Sequence, residues 1–343
     1  MEQLLSRGVI PEPLIRIGIR QLLKRRISES SSDDVSVHQE RINQLVAQLR
    51  KSPIAIETDK ANTQHYELPS DFFRLFMGRY LKYSSGYWDP STKTLDQAEQ
   101  NMLELYIQRA KIQDNMRILD LGCGWGSFSL FAAQNYPHSE FTAISNSRIQ
   151  KDFIESRIKA LGLKNLEVLT MDANNLNLST GFDRIISIEM FEHMRNYEAL
   201  LCQLSDILNP GGKLFVHIFT HKNLSYLFED KDSTDFLSRN FFSGGIMPSD
   251  HLLYYFNRDL RVQKHWVVNG QHYSKTSEAW LHNMKRNKSA VMKIFKSHYG
   301  SDAKKWWEFW KIFFMSCAEL WGYEDGNQWH VSHYLFGKVN DPD

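Results

Sequence analysis

The sequence predicts an α/β fold: a Rossmann-like, seven-stranded, mostly parallel sheet covered by helices on both faces, with a helical extension ahead of it. Three observations carry that expectation. Strand-like and helix-like runs alternate from Ile118 onward, as they do when parallel strands are joined by helical crossovers. A glycine-rich turn, Gly122, Gly124 and Gly126, follows the first of these strands. Residues 1–60 carry helical patterns and no strand pattern.

Taken in order, Pro13–Arg26 and Val37–Lys51 read as helices separated by the turn-like Ser28–Asp34. The second has an apolar stripe of Val37, Ile42, Leu45, Val46 and Leu49, which must be buried on the main domain or on another subunit. A homodimer is therefore one expectation. The strands are expected at Ile118–Leu121, Phe141–Ser145, Leu166–Thr170, Arg184–Ile188 and Lys213–Phe219, with a helix over Ser127–Tyr136 after the first. Asn209-Pro210-Gly211-Gly212 reads as a turn immediately before the fifth strand. An irregular and helical region then leads to a strand at Arg261–Val268, two helical segments and a last strand at Trp329–Gly337.

Composition sets the class. At 343 residues the chain can hold one large domain with an appendage or two small ones, and a single dominant core is expected. With 41 basic and 40 acidic residues, nothing forecasts a nucleic-acid partner. No apolar run reaches the roughly 18–20 residues that cross a bilayer, so stable membrane insertion is not expected. The three cysteines, Cys123, Cys202 and Cys317, are too few and scattered for a disulfide framework or a zinc site, which fits a reducing, cytoplasmic setting. Met1–Arg26 lacks the apolar core and cleavage site of a secretory signal; its basic, acid-poor character leaves an organellar transit peptide as the second reading. The aromatic content of 13% with nine Trp is unusual. Trp306, Trp307, Phe309, Trp310, Phe313, Phe314 and Trp321 fall near helical spacing and read as core rather than as a cofactor box.

Alternating glycines let a backbone turn sharply and approach a ligand. Dinucleotide folds space them as G-x-G-x-x-G. Here the pattern from Asp120 to Gly126 is acidic-x-G-x-G-x-G, which resembles motif I of the S-adenosylmethionine (SAM) methyltransferases. That resemblance implies SAM as cofactor, with Asp120 near its ammonium group and Gly122, Gly124 and Gly126 beneath its methionine part. Ligands of such sheets sit beyond the carboxyl ends of the strands. After the second strand, Ser145-Asn146-Ser147 stands where many SAM enzymes place a ribose-binding acid. Asn146 and Gln150 remain as hydrogen-bonding candidates for the cofactor, with helix cap and helix surface as their plain alternatives. After the third, Asp172 stands where related enzymes contact adenine, with a helix cap as its alternative.

The fourth strand runs into Glu189-Met190-Phe191-Glu192-His193-Met194. In a helical turn Glu189 and Glu192 share a face, with His193 beside them. Two readings stand: a site that attracts a substrate ammonium and removes its proton, or a solvated acidic turn favoured by a helix dipole.

Further stretches extend the resemblance over most of the chain. They are His65-Tyr66-Glu67-Leu68-Pro69, Phe72-Phe73, Tyr83-Ser84-Ser85-Gly86-Tyr87, Thr94-Leu95-Asp96, the Glu189–Met194 run, Phe241–Ser249, His265–Tyr273 and Ser332-His333-Tyr334-Leu335-Phe336. Together they resemble the cyclopropane-fatty-acid synthase-like SAM methyltransferases, and within them the plant coclaurine N-methyltransferase-like enzymes. The resemblance implies a class I SAM-dependent methyltransferase fold and methyl transfer to the nitrogen of a small aromatic or hydrophobic amine, releasing S-adenosylhomocysteine. It divides the chain into an N-terminal helical extension (1–60), a helical lead-in and cofactor cover (61–114), a SAM-binding core (115–220) and substrate-cover helices with the last strands (221–343). Tyr83 and Ser84 join the cofactor residues, Glu192, Glu189 and His193 are the catalytic candidates with Glu192 first, and Ser85, His217, Phe241, Tyr273 and Trp329 are the substrate-binding candidates.

Two departures bear on the reaction. Cyclopropane synthases hold a bicarbonate with a cysteine, a glutamate, a histidine and a tyrosine; the matching positions are Ser85, Glu192, His217 and Tyr273, so the cysteine is missing. The synthases also usually carry a small residue where this chain has Glu189, and a second carboxylate suits a cation held before methylation. Phe241, Phe242, Tyr254, Tyr255, Phe256 and Trp329 are candidates for pocket walls with cation–π faces, or for core. His217 and His221 lack a third ligand, and no metal is expected. A lipid C-methyltransferase and a non-catalytic SAM-binding scaffold are the competing readings.

Overall fold

Ile118, Leu119 and Leu121 are almost wholly buried, as befits a strand covered on both faces, and they begin the sheet that organises the chain. The structure is a computed structural model and describes residues 2–32, 34–56, 68–228, 241 and 244–341. His65, Tyr66, Glu67, Phe242 and Ser243 lie outside the described residues. Two compact units emerge, one from Met1–Ser32, Leu68–Asn101 and Asn269–His330, the other from Asp33–Glu67, Met102–Val268 and Val331–Asp343. Among the described residues, no helix is long and apolar enough to cross a membrane.

The second unit carries the sheet. Its strands are β1 (Arg117–Leu121), β2 (Glu140–Ser145), β3 (Leu166–Thr170), β4 (Phe182–Ile188), β5 (Leu208–His221), the short pair β6 (Tyr226–Leu227) and β7 (Ile246–Met247), β8 (Leu260–Val268) and β9 (Trp329–Lys338). The seven-stranded sheet has the order β3-β2-β1-β4-β5-β9-β8. β2, β1, β4 and their neighbours β3 and β5 pair parallel, whereas β8 pairs antiparallel with β9. Strand order reverses between β1 and β4, which opens a crevice at their carboxyl ends.

Every expected strand is present, most of them one or two residues longer. The fifth differs most. Phe182 pairs with Leu208 and Arg184 with Lys213, so the expected turn at residues 209–212 is an excursion inside β5, made by Gly211 at φ +77°, rather than a break before it. The first helix runs on to Ser30, past the expected turn at Ser28. The stripe of the helix Val35–Lys51 packs within the sheet-bearing unit: Val46 and Leu49 are buried there, with Ile42 and Leu45 against the same core. Asp34 caps this helix, accepting the Ser36 N–H at 2.8 Å.

The first unit is helical. Three helices stand where two were expected late in the chain: Gln271–Arg286, Lys288–Tyr299 and Ala303–Gly322. Asn287 ends the first and starts the second, and Gly300 at φ +55° ends the second. The aromatic run does form core. Trp310 and Phe295 each lie 4.9 Å from Phe72, and Phe314 lies 5.0 Å from Phe76 between ring centres. Only Trp306 of the run is half-buried without belonging to the core; it stacks on Tyr299 at 4.7 Å.

Candidate functional site

The glycine loop closes β1 onto β2: the N–H groups of Gly122 and Cys123 both donate to the Ile144 carbonyl, at 3.0 and 2.8 Å. Gly122, Gly124 and Gly126 all have positive φ, at +82°, +53° and +77°, a region that L side chains avoid. Their surroundings separate their tasks. A Cβ on Gly122 would stand 2.6 Å from the Met190 Cγ, and one on Gly126 2.9 Å from the Ile154 Cγ1, but one on Gly124 would meet nothing within 4 Å. Gly122 and Gly126 are thus glycines for close packing, and Gly126 caps the helix Ser127–Asn135. Gly124 presents bare backbone to open space.

That space is a cleft lined by Ile56, Leu121, Gly122, Gly124, Ile144, Ser145, Asn146, Gln150, Met171, Asp172, Ala173, Glu189, Met190, His193, Met194 and Gly244. It joins the carboxyl ends of β1 to β4, where the strand order reverses. Of the residues picked from the sequence, it brings together Gly122, Gly124, Asn146, Gln150, Asp172, Glu189 and His193. Gln150 is not helix surface. It is 3% exposed, its Oε1 accepts the Ser145 hydroxyl at 2.7 Å, and its Nε2 has no partner among the described residues. A buried amide N–H without a partner costs free energy, so this donor invites a ligand oxygen. Asn146 is exposed at the rim; Ser147, not Asn146, caps the next helix. Asp172 lines the cleft, and its Oδ1 also caps the turn Ala173–Asn175 by accepting the Asn174 N–H at 2.8 Å.

Asp120 and Glu192 depart from expectation. Asp120 is absent from the cleft wall; its carboxyl lies beneath the loop and accepts the Ser129 hydroxyl. Burial pushes its pKa up to about 7, against the lowering effect of the Ser129 hydrogen bonds. The run after β4 is a 3₁₀ turn over Phe191–His193, and Glu189 stands before it in the left-handed region at φ +47°. The two carboxyl side chains therefore do not line one face of an α-helix. Glu189 lines the cleft, whereas Glu192 is 1% exposed behind it, its Oε2 without a partner among the described residues. Burial first, and the charge of Glu189 second, hold the Glu192 carboxyl well above the ordinary carboxylate range. Burial also lowers His193 to about 4, with Glu189 opposing and Arg195 assisting, so its imidazole is neutral.

The uncommon backbone of Glu189 is held from β5. Its N–H donates to the His217 carbonyl at 2.9 Å, and its Oε1 lies 3.1 Å from the His217 Nε2. His217 and His221 have separate tasks: the Nδ1 of His221 accepts the Asn223 and Leu224 N–H groups at 3.0 and 2.9 Å. Phe241 is fully buried and absent from the cleft wall. Phe256 is core, and Tyr255 accepts from Gln39 at 2.9 Å. Tyr254 stands edge-on to His265, their ring centres 6.0 Å apart.

The remaining candidates lie in the helical unit. Tyr83 is set among aromatics, 5.5 Å from both Phe73 and Trp280. Ser84 accepts from the buried Lys82 ammonium, which also donates to the Ser85 carbonyl at 2.7 Å. The Ser85 hydroxyl donates to the Gly86 carbonyl at 3.0 Å. Tyr273 stacks on Trp321 at 4.8 Å, and Trp329 is fully buried with Tyr323 edge-on at 5.6 Å. Sequence reasoning missed Met190, which closes the cleft against Gly122, and Tyr106, Arg109 and His333, which continue the contacts of His217. Histidine within the otherwise apolar β5 and β9 was the available signal.

The Mycolic acid cyclopropane synthetase family matches residues 55–330. An (S)-coclaurine N-methyltransferase of Papaver somniferum is 38% identical over 96% of this chain and 95% of its own, and one of Thalictrum flavum subsp. glaucum is 38% identical over 97% and 94%. A crystal structure of a coclaurine N-methyltransferase bound to N-methylheliamine and S-adenosylhomocysteine superposes with a TM-score of 0.95 at 37% identity, covering 98% of both chains. The fold is that of the class I SAM-dependent methyltransferases. The chain belongs to the mycolic acid cyclopropane synthetase family and, within it, groups with the plant coclaurine N-methyltransferases.

Proposed function

We propose that this chain is a SAM-dependent N-methyltransferase that acts on a small aromatic or hydrophobic amine, a benzylisoquinoline such as coclaurine or a related amine. The observation that carries the reading is the division of labour after β4: one carboxyl, Glu189, faces the cleft, while its neighbour Glu192 is buried and held above the ordinary carboxylate range, and His193 is a neutral imidazole. Each of two neighbouring carboxyls opposes ionisation of the other, and Glu189, the one that lines the cleft, is where a ligand meets the pair.

The cleft fits SAM. The open face of Gly124 and the partnerless Nε2 of Gln150 are a backbone surface and a buried donor without occupants of their own, and Gly122, Asn146 and Asp172 complete the wall. These residues would hold SAM, which supplies an electrophilic methyl group on a sulfonium. The chain's own residues must present a nitrogen with a free lone pair. An aliphatic amine has a pKa near that of lysine, about 10.4, and arrives mostly as ammonium. Glu189 attracts that cation into the cleft. Glu189 also stands where it can accept the proton that the nitrogen must lose, with His193, kept neutral by burial, lining the cleft beside it, and fixing the amine there supplies proximity and orientation. An alkene substrate brings no cation and gives Glu189 nothing to do.

The test is S-adenosylhomocysteine release by the purified protein given SAM with a panel of aromatic and aliphatic amines, in parallel with unsaturated phospholipid vesicles. The expected result is turnover on aromatic amines that rises with pH as free base appears. Turnover on vesicles alone would replace this reading with lipid methylation, and SAM binding with no turnover on any substrate would replace it with a scaffold.

A further inference from the structure

Behind Glu189 runs a file of buried nitrogens for which proton removal from an amine has no use. The Nε2 of His217 lies 3.1 Å from the Glu189 Oε1, and its Nδ1 lies 2.8 Å from the Nε2 of His333. The Nδ1 of His333 lies 2.6 Å from the Arg109 Nη1. The Tyr106 hydroxyl stands 2.9 Å from the His217 Nδ1. His217, His333 and Tyr106 are wholly buried, and the Arg109 guanidinium lies 5.2 Å from the centre of the Trp266 ring. The groups come from four elements: the helix Leu95–Arg109, β5, β9 and the turn after β4.

The chemistry of the end member fixes the direction of the whole file. A guanidinium only donates and keeps its proton, so the His333 Nδ1 must accept and a neutral His333 carries its hydrogen on Nε2. That hydrogen points at the His217 Nδ1, whose single lone pair accepts it, with the Tyr106 hydroxyl a polar neighbour of the same atom. His217 then carries its hydrogen on Nε2, aimed at Glu189. Reverse either ring and two lone pairs, or two N–H groups, face each other in a buried space. Because a guanidinium keeps its proton, the file does not export one through Arg109.

We infer that Arg109, acting through His333 and His217, is a positioning device that fixes the tautomers of both rings and so holds Glu189 in the cleft as the hydrogen-bonded carboxylate of the pair. This rests on Glu189 being the group that meets the amine. Among the described residues, the titratable and charged groups around it include Glu192 and His193 on the same turn, with Arg195 beside His193, His217 on β5, His333 on β9, and Tyr106 and Arg109 on the helix. Of these, the donated hydrogen of His217 distinguishes Glu189 from Glu192, which lacks a donor to its Oε2. Second partners of ligating or reacting groups commonly set orientation and tautomer in this way.

Two readouts test it, one of them independent of turnover. In ¹⁵N spectra of ring-labelled protein, assigned against His217→Gln and His333→Gln, both histidines should show a protonated Nε2 and a bare Nδ1. Arg109→Met should abolish that pattern and Arg109→Lys, which still donates, should restore it. In the amine assay, Arg109→Met should lower kcat by about tenfold and move the acidic limb of kcat/KM upward by about one pH unit, with SAM affinity kept and Arg109→Lys near wild type. An Nδ1-protonated His217 in the wild type overturns the inference, as does an Arg109→Met enzyme whose tautomers and acidic limb stay in place. If no amine is turned over, the assigned function fails while the spectra still decide the tautomers.

Discussion

Each unit buries a glutamate, and the two are treated in opposite ways. Glu99, in the helical unit, is fully buried, and its oxygens accept the Gly78 and Tyr80 N–H groups at 2.8 and 2.9 Å. Burial raises it to about 7, although those two donors and the nearby Lys82 pull it down. Glu192, in the sheet-bearing unit, is as deeply buried, but its Oε2 has no partner among the described residues and a second carboxyl stands beside it. A buried carboxyl supplied with donors ties a loop together. One left with an unpartnered oxygen beside a like group, at the carboxyl end of a strand, is the kind of perturbed acid that chemistry uses.

Removing the anion should break that contrast most severely. Glu189→Gln keeps the size of the side chain but leaves no charge to draw in an ammonium, and it should lower turnover on the amine by about 100-fold, with SAM affinity and unfolding midpoint unchanged. Glu99→Gln should do the reverse. Gln offers one carbonyl oxygen where two oxygens now accept, so thermal or urea unfolding should report a loss of about 1–3 kcal/mol with SAM affinity kept in the folded protein.

The loop glycines sharpen the contrast inside the sheet-bearing unit. Gly122→Ala adds a Cβ 2.6 Å from Met190 at φ +82°, and should cost about 1–3 kcal/mol of stability. Gly124→Ala meets nothing within 4 Å; only the left-handed backbone opposes it, at about 1 kcal/mol. Its effect should appear in binding, as an approximately tenfold weaker SAM affinity by calorimetry.

Much of this was legible in the sequence. Alternating runs fixed the strands because buried parallel strands read as short apolar runs, and the ends of those strands located Gly122, Gly124, Gln150, Asp172, Glu189 and His193 in one cleft. The misplacements are conformational. Asp120 turns to Ser129 because successive side chains of a strand point to opposite faces, and the sequence cannot say which face meets the ligand. Glu192 leaves the cleft because Glu189 takes a positive φ and the turn is 3₁₀, neither of which residue spacing encodes. Gly211 makes its turn inside a strand, where pairing partners and not local sequence decide what counts as an interruption. Arg109 and His333 are 224 positions apart, beyond any local pattern.

The smallest expected effect is also the most direct test. Glu192→Gln keeps the shape of a carboxyl that is buried off the cleft wall and held above the ordinary carboxylate range, so amine turnover measured beside Glu189→Gln at neutral pH should stay within about threefold of wild type. If Glu192→Gln collapses while Glu189→Gln stays active, the charge sits on Glu192 and the assignment of the two carboxyls is reversed.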